Sequence, residues 1–393
     1  MTDKFDDEFD ELPFKFDKDD ERREEYEDFT FEEPPGDDEK VKSFVENLPL
    51  LNPREIFDEL DKLGYKGQDE QRRALSLMAY RHVRRLKRIY VEGVDRKELP
   101  PKQNVLMIGP TGCGKTYLVE LLFQSLFKIP TVIVDITSFT ESGYVGDSVN
   151  TILTRLVLHA DSDARLAECG VICLDEFDKL ASSGSSARFA GQGTTKDVSG
   201  YGVQRELLAM LQGTTVNVPM DYGFSEFGYR AEVSTKDIPF IVCGAFSGFE
   251  EILRDNKSGI GFSQKTKTDS EILTEQEAQS FQRFGFLPEL IGRFSRIVQF
   301  PKLSHEILRQ ILTGNILPQF ENEFAGEDLK LTVAPEALDF IVKRCEKRGT
   351  GARGLQTELI TAVESAAFES FGANSGAEIV IKSDGEKLTS DLI

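Results

Sequence analysis

Eight residues, Gly109-Pro110-Thr111-Gly112-Cys113-Gly114-Lys115-Thr116, match the spacing G-x-x-x-x-G-K-[ST]. Each fixed position has a chemical reason. Gly109 and Gly114 let the backbone turn sharply and bring successive N–H groups close to phosphate oxygens, where a side chain would block the approach. Lys115 reaches phosphate as a point charge, and Thr116 offers a hydroxyl to Mg²⁺. The chemistry is that of a phosphate-binding loop, with Mg²⁺ as the expected ion. A second candidate is Asp175-Glu176, which follows the apolar run Val171–Leu174. An acid pair at the end of a buried strand suits a metal-holding carboxylate, Asp175, followed by a carboxylate that polarises water, Glu176.

The flanking elements give both motifs a structural context. Val105 to Ile108 (VLMI) reads as a buried strand running into the glycine-rich loop, and Tyr117 to Phe127 has helical apolar spacing. Strand, loop, helix in that order places a positive helix end at the phosphates, with Tyr117 opening the helix. Further apolar runs at Thr131–Ile136, Val171–Leu174, Ile238–Cys243 and Ile297–Phe300 alternate with helical segments. That alternation implies an α/β fold with a parallel, doubly wound sheet, whose ligands bind beyond the strand ends. Past Pro301-Lys302 the pattern becomes helix, short strand (Leu329–Val333), two helices (Pro335–Lys347, Gly354–Phe371) and a closing strand (Ala377–Lys382), a small α+β unit. The expected organisation is an acidic tail (residues 1–40), a large domain (41–302) and a small C-terminal domain (303–393).

Several other residues invite two readings each. Tyr144-Val145 lies between Gly143 and Gly146, which suits either a packed turn or an exposed gripping loop. Ile260-Gly261-Phe262 sits in an otherwise polar stretch, as a local anchor or a docking tripeptide. Arg293, just before the last strand of the series, can bind phosphate or form a surface ion pair. Arg353 stands at a helix start after Gly351-Ala352. Asn52-Pro53 signals a helix start, and Arg81, Arg84, Arg85, Lys87 and Arg88 form a basic cluster read as a solvated helix face or a subunit or nucleotide contact.

Composition sets limits. The chain has 393 residues, 39% apolar and 29% charged, enough for about two domains with a sizeable core. Its net charge is −21, and residues 1–40 carry 19 Asp/Glu against 6 Lys/Arg. Disorder is expected there, because like charges at that density oppose collapse. The acidic balance argues against a nucleic-acid binder. Five scattered cysteines without a CxxC pair suggest neither zinc nor disulfides, and no apolar run reaches the ~18 residues of a membrane span. The cytoplasm is the expected compartment.

Taken in order, GPTGCGKT, TESGYVGDSV, LDEFDKL, DVSGYGVQRELL, SGIGF, LPELIGRF and TGARGL resemble the AAA+ ATPases of the Clp unfoldase clan, and within it the ClpX unfoldases, over roughly residues 48–383. The resemblance implies an ATP-driven ring, a homo-hexamer with nucleotide between subunits, that threads unfolded or tagged proteins. It implies that Lys115 and Thr116 hold phosphate and Mg²⁺, that Asp175 holds the metal and that Glu176 activates water. Arg293 becomes the finger given to a neighbouring subunit, and Arg353 the sensor of γ-phosphate. Tyr144 and Val145 line the pore, the loop around Asp197–Gly202 forms a second pore loop, and Ile260-Gly261-Phe262 docks a ClpP-type peptidase. The chain departs from the family in four places. A zinc-binding N-terminal domain is expected to be lacking, residues 219–235 carry no Arg-Lys-His loop, Tyr65-Lys66 stands where an adenine-packing Val-Ile pair is usual, and Cys243 occupies a position where many relatives have Asn. These departures keep open a stand-alone remodelling chaperone recruited through the acidic tail.

Overall fold

A computed structural model describes residues 37–140, 147–181, 200–219, 230–249, 252, 279–372 and 376–393. Its centre is a five-stranded sheet made of β1 (Val105–Ile108), β2 (Thr131–Asp135), β5 (Val171–Asp175), β8 (Phe240–Gly244) and β9 (Arg296–Gln299). The order is β2-β5-β8-β1-β9, and every pairing is parallel. The doubly wound α/β class read from the alternation is therefore correct. Alternate residues feed two cores, as the period of two requires. Leu106, Val132, Ile172, Phe240 and Val242 pack on one face with Ile152 and Leu156. Val105, Met107, Val171, Cys173 and Ile241 pack on the other with Leu75, Met78 and Phe123. Burial on both faces explains why these strands are continuous apolar runs. Each such side chain contributes about 1.5–3 kcal/mol.

Two short pairings are less apolar. β3 (Phe139–Thr140) and β4 (Asp147–Ser148) bracket residues 141–146, and β6 (Thr215–Pro219) forms an antiparallel hairpin with β7 (Arg230–Ser234). The hairpin buries only Val218 and Val233. A separate small C-terminal sheet holds β10 (Lys330–Val333), β11 (Glu378–Ser383) and β12 (Leu388–Leu392). Helices His305–Ile311, Leu317–Gly326, Pro335–Arg348 and Ala352–Ser370 close it with a core of Leu308, Phe324, Ile341, Leu359 and Ile379.

Among the described residues, three α-helices precede β1: α1 (Asp37–Asn47), α2 (Pro53–Lys62) and α3 (Asp69–Tyr90). Asn52 caps α2 as its sequence suggests, in a capping box with Glu55 and with Pro53 in the first turn. The basic cluster on α3 is largely internal bracing. Arg85 Nη2 and Arg96 Nε each lie 2.7 Å from opposite oxygens of the buried Asp237, holding its carboxyl below the usual range against the pull of burial. Lys87 Nζ donates to Val45 O and Glu46 O, two carbonyls at the C-terminal end of α1. Arg84 pairs with Glu92 at 2.5 Å. All five cysteines are free and buried. Among the described residues, no helix is long and apolar enough to cross a membrane.

His82, on α3, is fully buried with Nε2 3.0 Å from Cys169 O. Burial pushes its pKa down to about 4, although the carbonyl works the other way. The unfolded imidazole binds a proton near 6.5, so stability is complete above that pH and falls as pH drops from 6.5 toward 4. The full loss is about 3 kcal/mol. In His82→Gln, which retains a donor toward Cys169 O, the urea midpoint is expected to fall less between pH 7 and 4.5 than in the wild type. Parallel falls in both proteins would show that His82 does not carry this titration.

Candidate functional site

The glycine-rich loop leaves the C-terminal end of β1 and enters helix α4 (Lys115–Val119). From Glu120 to Leu126 the helix widens into π turns, a departure from the regular helix expected over Tyr117–Phe127. Lys115 is buried, with Nζ donating to Gly109 O at 2.7 Å and Pro110 O at 3.0 Å. Gly109 N donates to Gly244 O at the end of β8, fixing where the loop departs from the sheet. Cys113 is a buried thiol raised by burial, with Lys115 Nζ 3.8 Å from its sulfur.

Because β8 lies between β5 and β1, the acids at the end of β5 face the loop after β1. Thr116 Oγ1 donates to Asp175 Oδ2 at 2.6 Å. Glu176 has φ 56° and ψ 30°, a left-handed conformation that a non-glycine residue adopts only under local constraint. Its N–H donates to Asp175 Oδ1 at 2.8 Å. Asp178 accepts from Ala245 N at 3.0 Å and so ties this turn to the end of β8. Glu120 also lines the site, and burial together with the nearby Asp175 charge raises its pKa.

These groups line a cavity of about 460 Å³, a ligand-sized space that also takes in Gly64, Tyr65, Lys66, Tyr117, Asn315 and Arg353. The donor set suits Mg²⁺: a hydroxyl and a carboxylate oxygen at hydrogen-bond distance, in a region where acids crowd one another. Hard oxygen ligands of this kind, completed by phosphate and water, are how that ion is usually held. Tyr65 is buried, its ring stacked on Tyr117 with centroids 6.2 Å apart and its hydroxyl donating to Gly114 O.

Residues 100–297 match the family described as an AAA domain (Cdc48 subfamily), and residues 303–375 match the C-terminal, D2-small domain, of ClpB protein. The "ATP-dependent Clp protease ATP-binding subunit ClpX" of two strains of Porphyromonas gingivalis is 37% identical over 333 residues. That alignment covers 82% of this chain and 78% of each relative. The chain belongs to the ClpX-like unfoldases of the AAA+ ATPase family. It is an ATPase, and its P-loop α/β domain carries the small C-terminal domain of that family.

In this ClpX-like ATPase, the sequence-predicted residues fall into three groups. Lys115, Thr116, Asp175, Glu176 and Arg353 line the same cavity, as do Thr111, Gly112, Cys113, Gly114 and Tyr117. Arg353 is the second residue of the helix Ala352–Ser370, whose first residue, Ala352, donates its N–H to Gly112 O at 2.9 Å. Arg293 stands apart. It precedes β9, and Arg296 pairs with Val105 at the start of β1, so Arg293 lies at the opposite end of the sheet from the P-loop. Four strand residues at ~3.3 Å each make that separation more than about 10 Å. Its exposed guanidinium faces the side-chain amide of Gln212. Tyr144, Val145 and Ile260-Gly261-Phe262 lie outside the described residues, as do the acidic tail through residue 36, most of the second pore loop and residues 220–229.

Sequence reasoning missed Tyr65 as a support for Gly114, and it missed Glu120, Asp178 and Asn315. Tyr65 was noted only as a departure from the family pattern. Glu120 is one helical turn after Thr116 and was available from spacing alone.

Gly112 shows how closely the small domain approaches the loop. Its φ is +75°, and a Cβ there would lie 2.4 Å from Thr350 O. Gly112→Ala therefore combines backbone strain with a clash, whereas Gly93→Ala, at φ +69° with nothing within 4 Å, carries strain alone. Thermal unfolding should show Gly112→Ala to be the more destabilising by about 1–3 kcal/mol. Equal losses would mean the contact relaxes freely.

Proposed function

We propose that this chain is an ATP-driven ring unfoldase that threads polypeptide through an axial pore and delivers it to a ClpP-type peptidase. The observation that carries the reading is the convergence of Lys115, Thr116, Asp175, Glu176 and Arg353 on one cavity while the exposed Arg293 stands at the far end of the sheet. An arginine so placed serves a nucleotide only on another copy, which is the arrangement of a head-to-tail ring. The family resemblance supports six copies.

Lys115 releases its loop carbonyls to phosphate, and the N–H groups of Gly112 to Thr116 hold the phosphate oxygens. Thr116 and Asp175 would hold Mg²⁺, which when bound neutralises charge on the phosphates. Glu176 orients water toward the γ-phosphorus and takes its proton. Arg293 of the next copy and Arg353 stabilise the charge that develops as the bond to the β-phosphate breaks. Arg353 sits on the small domain, so its pull on γ-phosphate moves residues 303–393 relative to 41–302.

Tyr144 and Val145 grip the substrate. An aromatic and an aliphatic side chain need no particular partner on an unfolded chain, which fits sequence-tolerant pulling. Ile260, Gly261 and Phe262 dock the peptidase, residues 1–40 form an acidic tail, and the protein acts in the cytoplasm.

Glu176→Gln should retain ATP binding and lose turnover by about 10²-fold or more. A fall of less than tenfold would remove Glu176 from the role of base. With a ClpP ring and a tagged folded substrate, the wild type should degrade the substrate and Phe262→Ala should not, while its ATPase persists. ATPase and unfolding without degradation by the wild type would favour the stand-alone remodelling reading instead, which the sequence of residues 219–235 also suits.

A further inference from the structure

Gly64-Tyr65-Lys66-Gly67 joins α2 to α3 and touches both structural units around the nucleotide cavity. On the P-loop side, Tyr65 supports Gly114 O and stacks on Tyr117. On the side of the small domain, Asn315 Nδ2 donates to Gly64 O at 2.7 Å, and its side chain lines the cavity together with Tyr117. There is little room for sliding. A Cβ on Gly64, at φ +93°, would lie 2.9 Å from Asn315 Nδ2, and one on Gly67 would lie 2.5 Å from Ile307 Cδ1. From within, Arg72 Nη1 donates to Tyr65 O, and Gln68 Nε2 donates to Pro301 O. Asn315 itself sits in a π turn, Leu312–Ile316, a backbone form that concentrates at functional positions.

One half-buried amide of the small domain thus holds a carbonyl of the loop before α3, in the wall of the cavity. A purely structural role would be served as well by an apolar side chain packed against Gly64. Asn315 instead places its hydrogen bond on a group that lines the ligand space.

We propose that Asn315 is a positioning residue, which ties the Gly64–Gly67 loop to the small domain so that the cavity closes and Arg353 arrives in a single movement. The consequence for catalysis rests on the ATP site proposed above. A free hinge leaves Arg353 to the Ala352 N–H bond to Gly112 O and the packing around it, and small misplacements of a charged group cost rate steeply.

Asn315→Asp keeps the shape but cannot donate to Gly64 O, and Asn315→Ala removes the bond altogether. Amide hydrogen exchange of residues 63–67, measured without nucleotide, should be at least about fivefold faster in either variant, while helix Pro335–Arg348 stays protected. Unchanged exchange overturns the clasp whether or not ATP binds. A wild type that binds no ATP would instead refute the ATP site and leave the exchange result to decide the clasp.

With ATP, both variants should lose about tenfold in kcat and about fivefold in affinity, and Asp should not rescue Ala. Wild-type kinetics in Asn315→Asp would overturn the proposal.

Discussion

The 2.6 Å contact between Thr116 Oγ1 and Asp175 Oδ2 joins residues 59 apart in sequence, and it depends on a single arrangement: β8 lies between β5 and β1 in a sheet whose strands all run the same way. Parallel strands bring their C-terminal ends to one edge, so the loop after β1 and the turn after β5 must meet there. The buried face-to-face alternation of Leu106, Ile172 and Val242 against Met107, Cys173 and Ile241 fixes the register that makes the meeting close. A one-residue slip would exchange the two cores and separate Asp175 from Thr116.

The same sheet sends its other charged group away. Arg293 stands at the start of β9, opposite the P-loop, while Arg353 approaches the P-loop from the small domain. The cavity is therefore built by three parties: the strand ends, the small domain, and on our reading a neighbouring copy. At Gly112, Gly64 and Gly67 the small domain comes close, and all three positions have positive φ and no space for a side chain. On that reading the nucleotide site is an interface, and its occupancy would be linked to the orientation of the C-terminal helices.

Much of this was legible in the amino-acid order because burial on both faces writes strands as unbroken apolar runs. Val105–Ile108 and Val171–Leu174 were placed to within a residue, and Phe240–Gly244 was displaced by one or two because Ile238 is apolar but precedes the sheet. The glycine-lysine spacing then identified the loop without any tertiary information. The hairpin of β6 and β7 was not legible, since each strand buries a single valine, and β12 is exposed along nearly all its length. The π turns from Glu120 went unseen because a π turn and an α turn share the same apolar spacing over so few residues. Arg85 and Asp237 lie 152 residues apart, and Asn315 and Gly64 lie 251 apart. No periodicity records such a pairing, so the basic cluster looked like a solvated face and Asn315 like an ordinary helix residue.

The central claim, that each ATP site is completed by a neighbour's Arg293, is tested most directly by mixing two inactive variants. Lys115→Ala lacks the phosphate-binding lysine and Arg293→Ala lacks the finger, so each alone should hydrolyse ATP at background rate. In an equal mixture, an interface works where an intact P-loop meets an intact Arg293, which random assembly supplies at about one in four interfaces. Recovery of about a quarter of the wild-type rate is the predicted result. A mixture no more active than either variant, or full activity of Arg293→Ala by itself, would contradict it.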